Sequence, residues 1–375
     1  MIKNYFHRRN LSFKDKFFSL DFSLILLILS LGIISIFAIY STERGIFGYY
    51  TQSHIYRFFI FFLIFILLGF FNIKVWFKLS YIFYIFVIIL LLGVHFFGIA
   101  SSGSTRWISL HIINLQPSEL MKVGLILFFA RYYYKIPMSE ISKIRYMIIP
   151  LLALFVPVVL VVIQPDLGTA LLLAATGMFL IWLAGLRIKY FMFSFVTLIC
   201  SLPVVIIFLK PYQKLRILTF LNPEKDPLGA GYQIIQSKIA VGSGGFFGKG
   251  FLQGSQSYLD YLPEKHTDFI FTIFSEEFGF IGSLLLLLIY LLIIYRIVST
   301  GNQCKNNFSK LYCYAFASAF FAYVTVNMSM VLGLLPIVGA PLPIMSYGGS
   351  SMLSMMIGLG IVMSCKIHQE ETEVN

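Results

Sequence analysis

The sequence predicts an all-α, polytopic membrane protein with ten transmembrane helices, a long extracytoplasmic loop and both termini in the cytoplasm. Three observations favour this fold class. Of the 375 residues, 59% are hydrophobic and 12% are charged, whereas soluble domains carry about 25% charged residues. Ten segments approach the length of about 20 apolar residues that crosses a bilayer. Lys and Arg are concentrated between alternate segments, as is typical of cytoplasmic connections.

The apolar segments predict one transmembrane domain that covers residues 1–375. The first segment is too long for a cleaved signal peptide, and we expect it to remain as a helix. The second is short, and the fourth contains Lys122. A polar extracytoplasmic loop, 210–267, separates the seventh segment from the eighth. The predicted spans are 22–40, 58–73, 79–99, 118–134, 146–163, 167–186, 190–209, 269–295, 311–335 and 344–364.

The basic charge fits this topology. A net charge of +12 would suggest nucleic acid in a soluble protein, but here Lys and Arg flank the spans, and no nucleic-acid partner is expected. With the N-terminus inside, the short outer connections hold only Arg44, Arg57 and Arg106. The polar motifs also fall on the outer side. We therefore expect the chemistry on the outer face of the membrane.

The connection before the fourth span carries the first polar motif. Arg106 precedes Gln116, and Glu119 and Lys122 follow at a spacing that places both on one helix face. One interpretation is structural: an ion pair between Glu119 and Lys122 would lower the cost of placing two charges at the start of a membrane helix. A charge one turn inside an apolar run more often has a function. We therefore predict that Lys122, with Arg106, holds an anionic headgroup.

The second motif is Gln164-Pro165-Asp166-Leu167-Gly168, where two spans meet almost without a loop. Asp166 can cap the sixth predicted helix, and capping alone would explain it. The alternative is that Asp166 also faces the functional site.

The long loop ends at Glu264-Lys265-His266-Thr267-Asp268, so that Asp268 stands at the mouth of the eighth span. One interpretation is a capping carboxylate and nothing more. Against it stand Glu276 and Glu277 on the same helix, because acidic residues inside a span require polar surroundings. We expect a water-filled cavity, open to the outer face, that accommodates all three carboxylates.

Two stretches are rich in glycine. Residues 242–250 lack the spacing of a phosphate loop, since the required first glycine is Ser243 and Gly250 follows Lys249; no nucleotide is expected, and a membrane-hugging loop is the better interpretation. Residues 336–351 contain dense Gly and Pro at membrane depth, which predicts irregular backbone that lines a cavity. This stretch supplies backbone donors and hydroxyls from Ser346, Gly348 and Gly349.

Together these motifs resemble the SEDS proteins (shape, elongation, division, sporulation), a family that includes RodA, FtsW and SpoVE. The resemblance covers residues from about 20 to 365, and residues 236–250 are more similar to RodA, the elongation branch, than to FtsW. It implies a ten-span peptidoglycan glycosyltransferase of the bacterial cytoplasmic (inner) membrane that polymerises lipid II on the outer face and supports rod shape. It also implies a class B penicillin-binding protein and other elongation-complex membrane proteins as partners, with Asp268 as the essential aspartate and Glu119 and Lys122 lining the cavity.

For such a reaction we predict Asp268 as the general base that accepts the proton of the acceptor hydroxyl, with a divalent cation, Mg or Mn, as a candidate ligand of its carboxylate. Cations near the site would stabilise the departing lipid diphosphate. Two other functions stay open, a lipid II flippase and a non-catalytic scaffold for the penicillin-binding protein. The predicted substrate-binding residues are Arg106, Gln116, Glu119, Lys122, Asp166, His266, Ser346, Gly348 and Gly349.

Overall fold

The computed structural model describes residues 12–101, 104–109, 114–137, 139–208, 211–225, 229–255 and 264–372. The described chain is mainly helical. Its helices are α1 Phe13–Phe18, α2 Phe22–Thr42, α3 Tyr49–Gly69, α4 Ile73–Phe97, α5 Pro117–Tyr133, α6 Ile144–Ile163, α7 Leu167–Ala184, α8 Ile188–Phe208, α9 Pro211–Leu221, α10 Ala230–Ser243, α11 Ile270–Gln303, α12 Asn307–Val331 and α13 Gly349–Ile367, with a short 3-10 helix at Pro223–Lys225.

Eight of the described helices are long and apolar enough to cross a membrane: α2, α3, α4, α6, α7, α11, α12 and α13. This confirms a multi-pass membrane protein. Each of the eight overlaps a span predicted from the sequence. The helix α5 overlaps the predicted fourth span but has 17 residues, and α8 overlaps the seventh.

A small antiparallel sheet corrects the all-α prediction. Its strands β1 Ile99–Ser101, β2 Ser104–Ser109 and β3 Asn114–Leu115 pair in the order β1-β2-β3. Trp107 is opposite Ile99, and Ile108 is opposite Leu115. The sheet joins α4 to α5 and fixes the strand that carries Arg106. Strands this short leave little periodic signal in a sequence.

Two local features let the helices pack in the membrane: a small residue at a close contact, and a side-chain hydrogen bond that replaces a missing backbone one. The helices α3 and α13 approach so closely that a Cβ at Gly69 would lie 2.7 Å from the Met363 Cγ atom; small residues are typical of such contacts in membranes. In α6, Pro157 has no N–H to donate to the carbonyl of Ala153. The Tyr84 hydroxyl donates to that carbonyl instead, at 2.8 Å, so the Ala153 carbonyl keeps a donor inside the bundle.

The longest helix, α11, is broken at Gly279, which has φ 64° and ψ −161°. With 34 residues it is about 51 Å long at 1.5 Å per residue, well beyond the bilayer core of about 30 Å. A part-buried ion pair of 2.7 Å joins its Arg296 to Asp21 at the start of α2. This pair aligns the ends of α2 and α11 that lie away from Asp268.

The glycine loop, which we define as residues 244–255, fills the break in α11. The N–H groups of Lys249 and Gly250 donate to the carbonyls of Glu276 and Glu277, both at 3.0 Å. In return the N–H groups of Phe280 and Ile281 donate to the carbonyls of Gly245 and Phe246, at 2.9 and 3.1 Å. The approach requires glycine, because a Cβ at Gly248 would lie 2.0 Å from the carbonyl oxygen of Glu277. The loop therefore replaces helical hydrogen bonds that the break removes.

Candidate functional site

Asp268 lies just before α11 and is half-buried. The N-cap residue of this helix is Phe269, so Asp268 lies one position before the cap. Its carboxylate faces the irregular connection between α12 and α13, where a Cβ at Gly339 would lie 3.6 Å from Oδ2. Gly339 has φ +73°, a conformation that favours glycine. This turn brings backbone to the carboxylate without a side chain in between.

Asn327 of α12 fixes the backbone at Asp268. Its Nδ2 atom donates to the carbonyl of Asp268 at 3.0 Å and to that of Ala340 at 2.7 Å. The side chain is fully buried. The sequence analysis did not identify Asn327, although an amide in an apolar span is a signal for a polar partner. One residue thus joins the start of α11 to the connection that faces the carboxylate.

Glu119 and Lys122 form a buried ion pair. The Lys122 Nζ atom lies 2.6 Å from Glu119 Oε2, and each side chain is 3% exposed. The same ammonium group lies 3.7 Å from the ring centroid of Tyr323, a second residue that the sequence analysis missed. Tyr323 and Asn327 are one turn apart on α12, about 6 Å along its axis. The helix α12 therefore places the Lys122 pair and the backbone of Asp268 in one region.

Asp166 receives donors from three elements. Thr169 donates its N–H to Oδ1 at 3.3 Å and its hydroxyl to Oδ2 at 2.9 Å, which is the capping contact predicted for α7. Gln116 donates to Oδ2 at 3.3 Å, and Arg106 lies 3.4 Å from the same oxygen. Capping and contact with the polar motif therefore coexist. The predicted residues Arg106, Gln116 and Asp166 form one hydrogen-bonded group.

The group around Asp166 meets the surroundings of Asp268 at residues 338–339. A Cβ at Gly168 would lie 2.1 Å from the carbonyl oxygen of Val338. Val338 is adjacent to Gly339, which faces the Asp268 carboxylate. The bare backbone of Gly168 thus allows the start of α7 to lie against the segment that borders Asp268.

The predicted residues after α12 hold the segment before Asp268. The Ser346 hydroxyl donates to the carbonyl of Thr267 at 2.6 Å and accepts from the N–H of Leu342 at 2.8 Å. The N–H of Tyr347 donates to the carbonyl of His266 at 2.9 Å. Ser346 therefore acts on the backbone around the site. Gly348 precedes α13 and Gly349 is its first residue.

His266 lies between α2 and α3. Its Nδ1 atom is 2.7 Å from the Thr42 hydroxyl, and its ring stacks on Tyr50 with centroids 4.1 Å apart. Tyr50 also contacts Tyr347 edge to face, at 5.0 Å. His266 is thus part of an aromatic surface beside Asp268.

Glu276 and Glu277 have a different environment from the one predicted. The Oε1 atom of Glu276 accepts from Lys249 Nζ at 2.6 Å and from the hydroxyl and N–H of Ser255 at 2.8 and 3.0 Å. Glu277 accepts a hydrogen bond from the hydroxyl of Ser41 on α2. The expectation that both share a cavity with Asp268 was wrong, because the glycine loop and α2 pack against these carboxylates and bury them. A water-filled hollow at Asp268 itself stays a prediction.

Comparison with known proteins identifies the family. Residues 18–371 match the family described as cell cycle protein, FtsW/RodA/SpoVE. The chain is 44% identical over 288 residues to the peptidoglycan glycosyltransferase MrdB of Escherichia coli (strain K12), with 76% of this chain and 77% of MrdB covered. It is 37% identical over 301 residues to stage V sporulation protein E of Bacillus subtilis (strain 168), with 78% and 79% covered.

Solved structures show the same fold. A chain from a structure described as the structural coordination of polymerization and crosslinking by a peptidoglycan synthase complex superposes with a TM-score of 0.81 at 30% identity, covering 93% of this chain and 98% of that one. The rod shape determining protein RodA of Thermus thermophilus superposes with a TM-score of 0.71 at 25% identity, covering 94% and 98%. The chain belongs to the FtsW/RodA/SpoVE family of multi-pass inner-membrane proteins.

Proposed function

We propose that this chain is a peptidoglycan glycosyltransferase that polymerises lipid II into glycan strands on the outer face of the bacterial inner membrane, in support of cell elongation. The names of its relatives support the activity. The observation that carries the proposal is the placement of α12, which holds the backbone of Asp268 through Asn327 and the Lys122 ammonium through Tyr323. One helix thereby assembles a carboxylate and the Lys122 ammonium at one end of the bundle, and Arg106 joins them through Asp166 and the contact of Gly168 with Val338.

Asp268 is the general base in this proposal. The acceptor hydroxyl of the sugar is a weak nucleophile at neutral pH, and a carboxylate that takes its proton as the new bond forms contributes about 10²- to 10⁴-fold to the rate. Asp268 is half-buried, and the proposal requires its carboxylate to face the bound acceptor. A single displacement at the anomeric carbon would invert its configuration and convert an α-linked donor into a β-linked polymer.

Arg106 and Lys122 stabilise the departing diphosphate. Fixed cations are most effective where negative charge develops in the transition state. The Nε atom of Arg106 has no hydrogen-bond partner among the described residues, and the side chain is 26% exposed, so we assign this donor to a phosphate oxygen of the bound donor lipid. Lys122 is already paired with Glu119. We therefore assign the direct contact to Arg106 and a longer-range electrostatic role to Lys122.

Asp268 is also the candidate ligand of a divalent cation, Mg or Mn. Among the described residues no group of three or more His, Cys, Asp or Glu side chains could hold a metal ion. Magnesium commonly binds one or two carboxylates together with substrate phosphates, so the carboxylate fits such an ion with the diphosphate present. When bound, the cation would neutralise phosphate charge. Electron paramagnetic resonance of added Mn²⁺ tests this, and Mn²⁺ binding that survives in Asp268→Asn contradicts it.

The arrangement in the membrane follows from the same proposal. We infer ten spans, with α5 and α8 added to the eight long apolar helices, and both termini in the cytoplasm. The 210–267 connection and Asp268 then face outward. A class B penicillin-binding protein is the proposed partner, because a similar chain is part of a complex that coordinates polymerization and crosslinking. Other membrane proteins of the elongation complex and membrane lipids complete the proposed partners.

A polymerisation assay with purified protein in detergent tests the function. Lipid II is supplied to the wild-type chain and to Asp268→Asn, with and without the penicillin-binding protein. We expect glycan from the wild type and none from the variant at equal folding, measured by thermal unfolding. Synthesis at the normal rate by Asp268→Asn would remove this residue from the reaction. Detergent micelles have no two membrane faces, so a lipid flippase would give no signal in this assay. A non-catalytic scaffold would give no glycan product either.

A further inference from the structure

Arg57 of α3 carries a charge that no carboxylate of the described residues neutralises. Among the described residues its recorded contact is with the ring of Tyr347, whose centroid lies 4.7 Å from the guanidinium carbon, and no Asp or Glu is within ion-pair distance. The side chain is half-buried. By contrast, Arg106 and Lys122 are paired with Asp166 and Glu119. An unpaired cation on an apolar helix is costly and usually has a partner that comes from outside.

Arg57 adjoins an aromatic surface that ends near Asp268. Tyr347, Tyr50 and His266 form this surface, with successive centroid distances of 5.0 and 4.1 Å. The N–H of Tyr347 is bonded to the carbonyl of His266, two residues before Asp268. Tyr50 is exposed. The surface therefore runs from the guanidinium group to the segment that carries the carboxylate, on the α3 side of the site.

The chemistry of polymerisation requires two lipid-linked substrates at one carboxylate. Each lipid II molecule carries a diphosphate, but only the donor loses it in the reaction. The cations near Asp166 and Glu119 are on the side formed by β2, α5 and α7. A second diphosphate needs its own cation, because two anions held at one position repel each other.

We propose that Arg57 binds the phosphate groups of the acceptor lipid, while the rings of Tyr50 and Tyr347 contact its sugar. This inference rests on the proposed function and adds the second substrate to it. The contact of Arg57 with the Tyr347 ring is a weak one at a part-exposed position. Guanidinium–phosphate hydrogen bonds are stronger and often bidentate. The Arg57 guanidinium therefore gains free energy when it leaves the Tyr347 ring and binds a lipid phosphate.

Binding stoichiometry tests the proposal without turnover. Native mass spectrometry of the purified full-length chain, titrated with undecaprenyl diphosphate, counts the lipids bound. We expect two for the wild type and one for Arg57→Gln. The matched control is Arg131→Gln at the opposite end of the bundle, since Arg131 also lies over a tyrosine ring, 4.2 Å from the centroid of Tyr81; this variant is expected to bind two.

Competition with phosphatidylglycerol separates the two sources of a lipid phosphate. We expect an equimolar amount to leave both diphosphate lipids bound. If phosphatidylglycerol displaces one of them, Arg57 binds phospholipid headgroups and the proposal is overturned. Two lipids bound to Arg57→Gln, or only one bound to the wild type, would also overturn it. Should Arg57→Gln not fold, Arg57→Lys provides the test, with the affinity for the second lipid expected to fall and an unchanged affinity contradicting us. Because no product is measured, these outcomes are independent of whether Asp268→Asn abolishes synthesis.

Discussion

The side-chain amide of Asn327 donates to the backbone carbonyl of Asp268 at 3.0 Å and, with the same nitrogen, to that of Ala340 at 2.7 Å. Two segments that are far apart in the chain are therefore held by one buried side chain. The backbone that carries the Asp268 carboxylate is therefore fixed to the connection between α12 and α13.

Replacement of Asn327 by Leu is expected to reduce polymerisation more than stability. It removes one donor from each of two carbonyls, at a cost of up to about 1–3 kcal/mol each. It also loosens the backbone of Asp268, where a displacement of about 1 Å can lower a rate by about 10²-fold. The turnover rate of Asn327→Leu is compared with that of Asn302→Leu, whose side chain accepts from Tyr314 at an exposed position. Equal rates in the two variants would show that Asn327 does not position the carboxylate.

The Glu119–Lys122 pair predicts different outcomes for single and double variants. Lys122→Met leaves the Glu119 carboxylate buried without its partner, and breaking a buried pair in this way costs about 3–5 kcal/mol. Glu119→Gln with Lys122→Met removes both charges, so we expect the unfolding temperature to recover while glycan synthesis stays low. Recovered synthesis in the double variant would mean that the pair serves the fold alone.

Gly168→Ala is expected to disturb the site through the backbone. Its new Cβ would lie 2.1 Å from the carbonyl oxygen of Val338, so α7 or the 338–339 segment must move, at a typical cost of about 1–3 kcal/mol. The control is Gly242→Ala, where no atom lies within 4 Å of the added carbon. We predict a lower polymerisation rate and unfolding temperature for Gly168→Ala alone. If Gly168→Ala polymerises lipid II at the same rate as Gly242→Ala, the contact of Gly168 with Val338 does not affect the reaction.

Lys249→Met is expected to loosen the glycine loop. The variant leaves Glu276 with the hydroxyl and N–H of Ser255 but without its cation. Amide hydrogen exchange of residues 276–281 should become faster, because the loop supplies the backbone partners of the break. The matched control is Lys143→Met, whose ion pair with Glu140 is exposed and contributes little. If the exchange rates are unchanged in Lys249→Met, the backbone hydrogen bonds alone hold the glycine loop in place.

The sequence predicted the spans well because apolar length is a property of one segment at a time. The family, the glycosyltransferase activity and the multi-pass inner-membrane location are confirmed by the relatives. The pairing of Glu119 with Lys122 and the capping by Asp166 were predictable from local spacing. They involve residues three apart in the chain.

Features that join distant segments were not predictable in this way. Asn327 and Tyr323 lie in an apolar span, and their roles depend on partners 59 and about 200 residues away. The sequence likewise showed the acidic residue Glu276 and the glycines of residues 244–250. It did not show that the glycine loop packs against Glu276. Their contact results from the backbone break at Gly279, which a helical pattern hides.

The break in α11 also has a consequence for biosynthesis. Residues 244–250 leave the ribosome before the helix that they complete, since chains are made from the N-terminus. The first turns of α11 can reach their final shape only against a segment that has already been made and that, in the proposed topology, has crossed to the outer side. Defects in those glycines should therefore appear as failed assembly of the newly inserted chain, before any substrate is present.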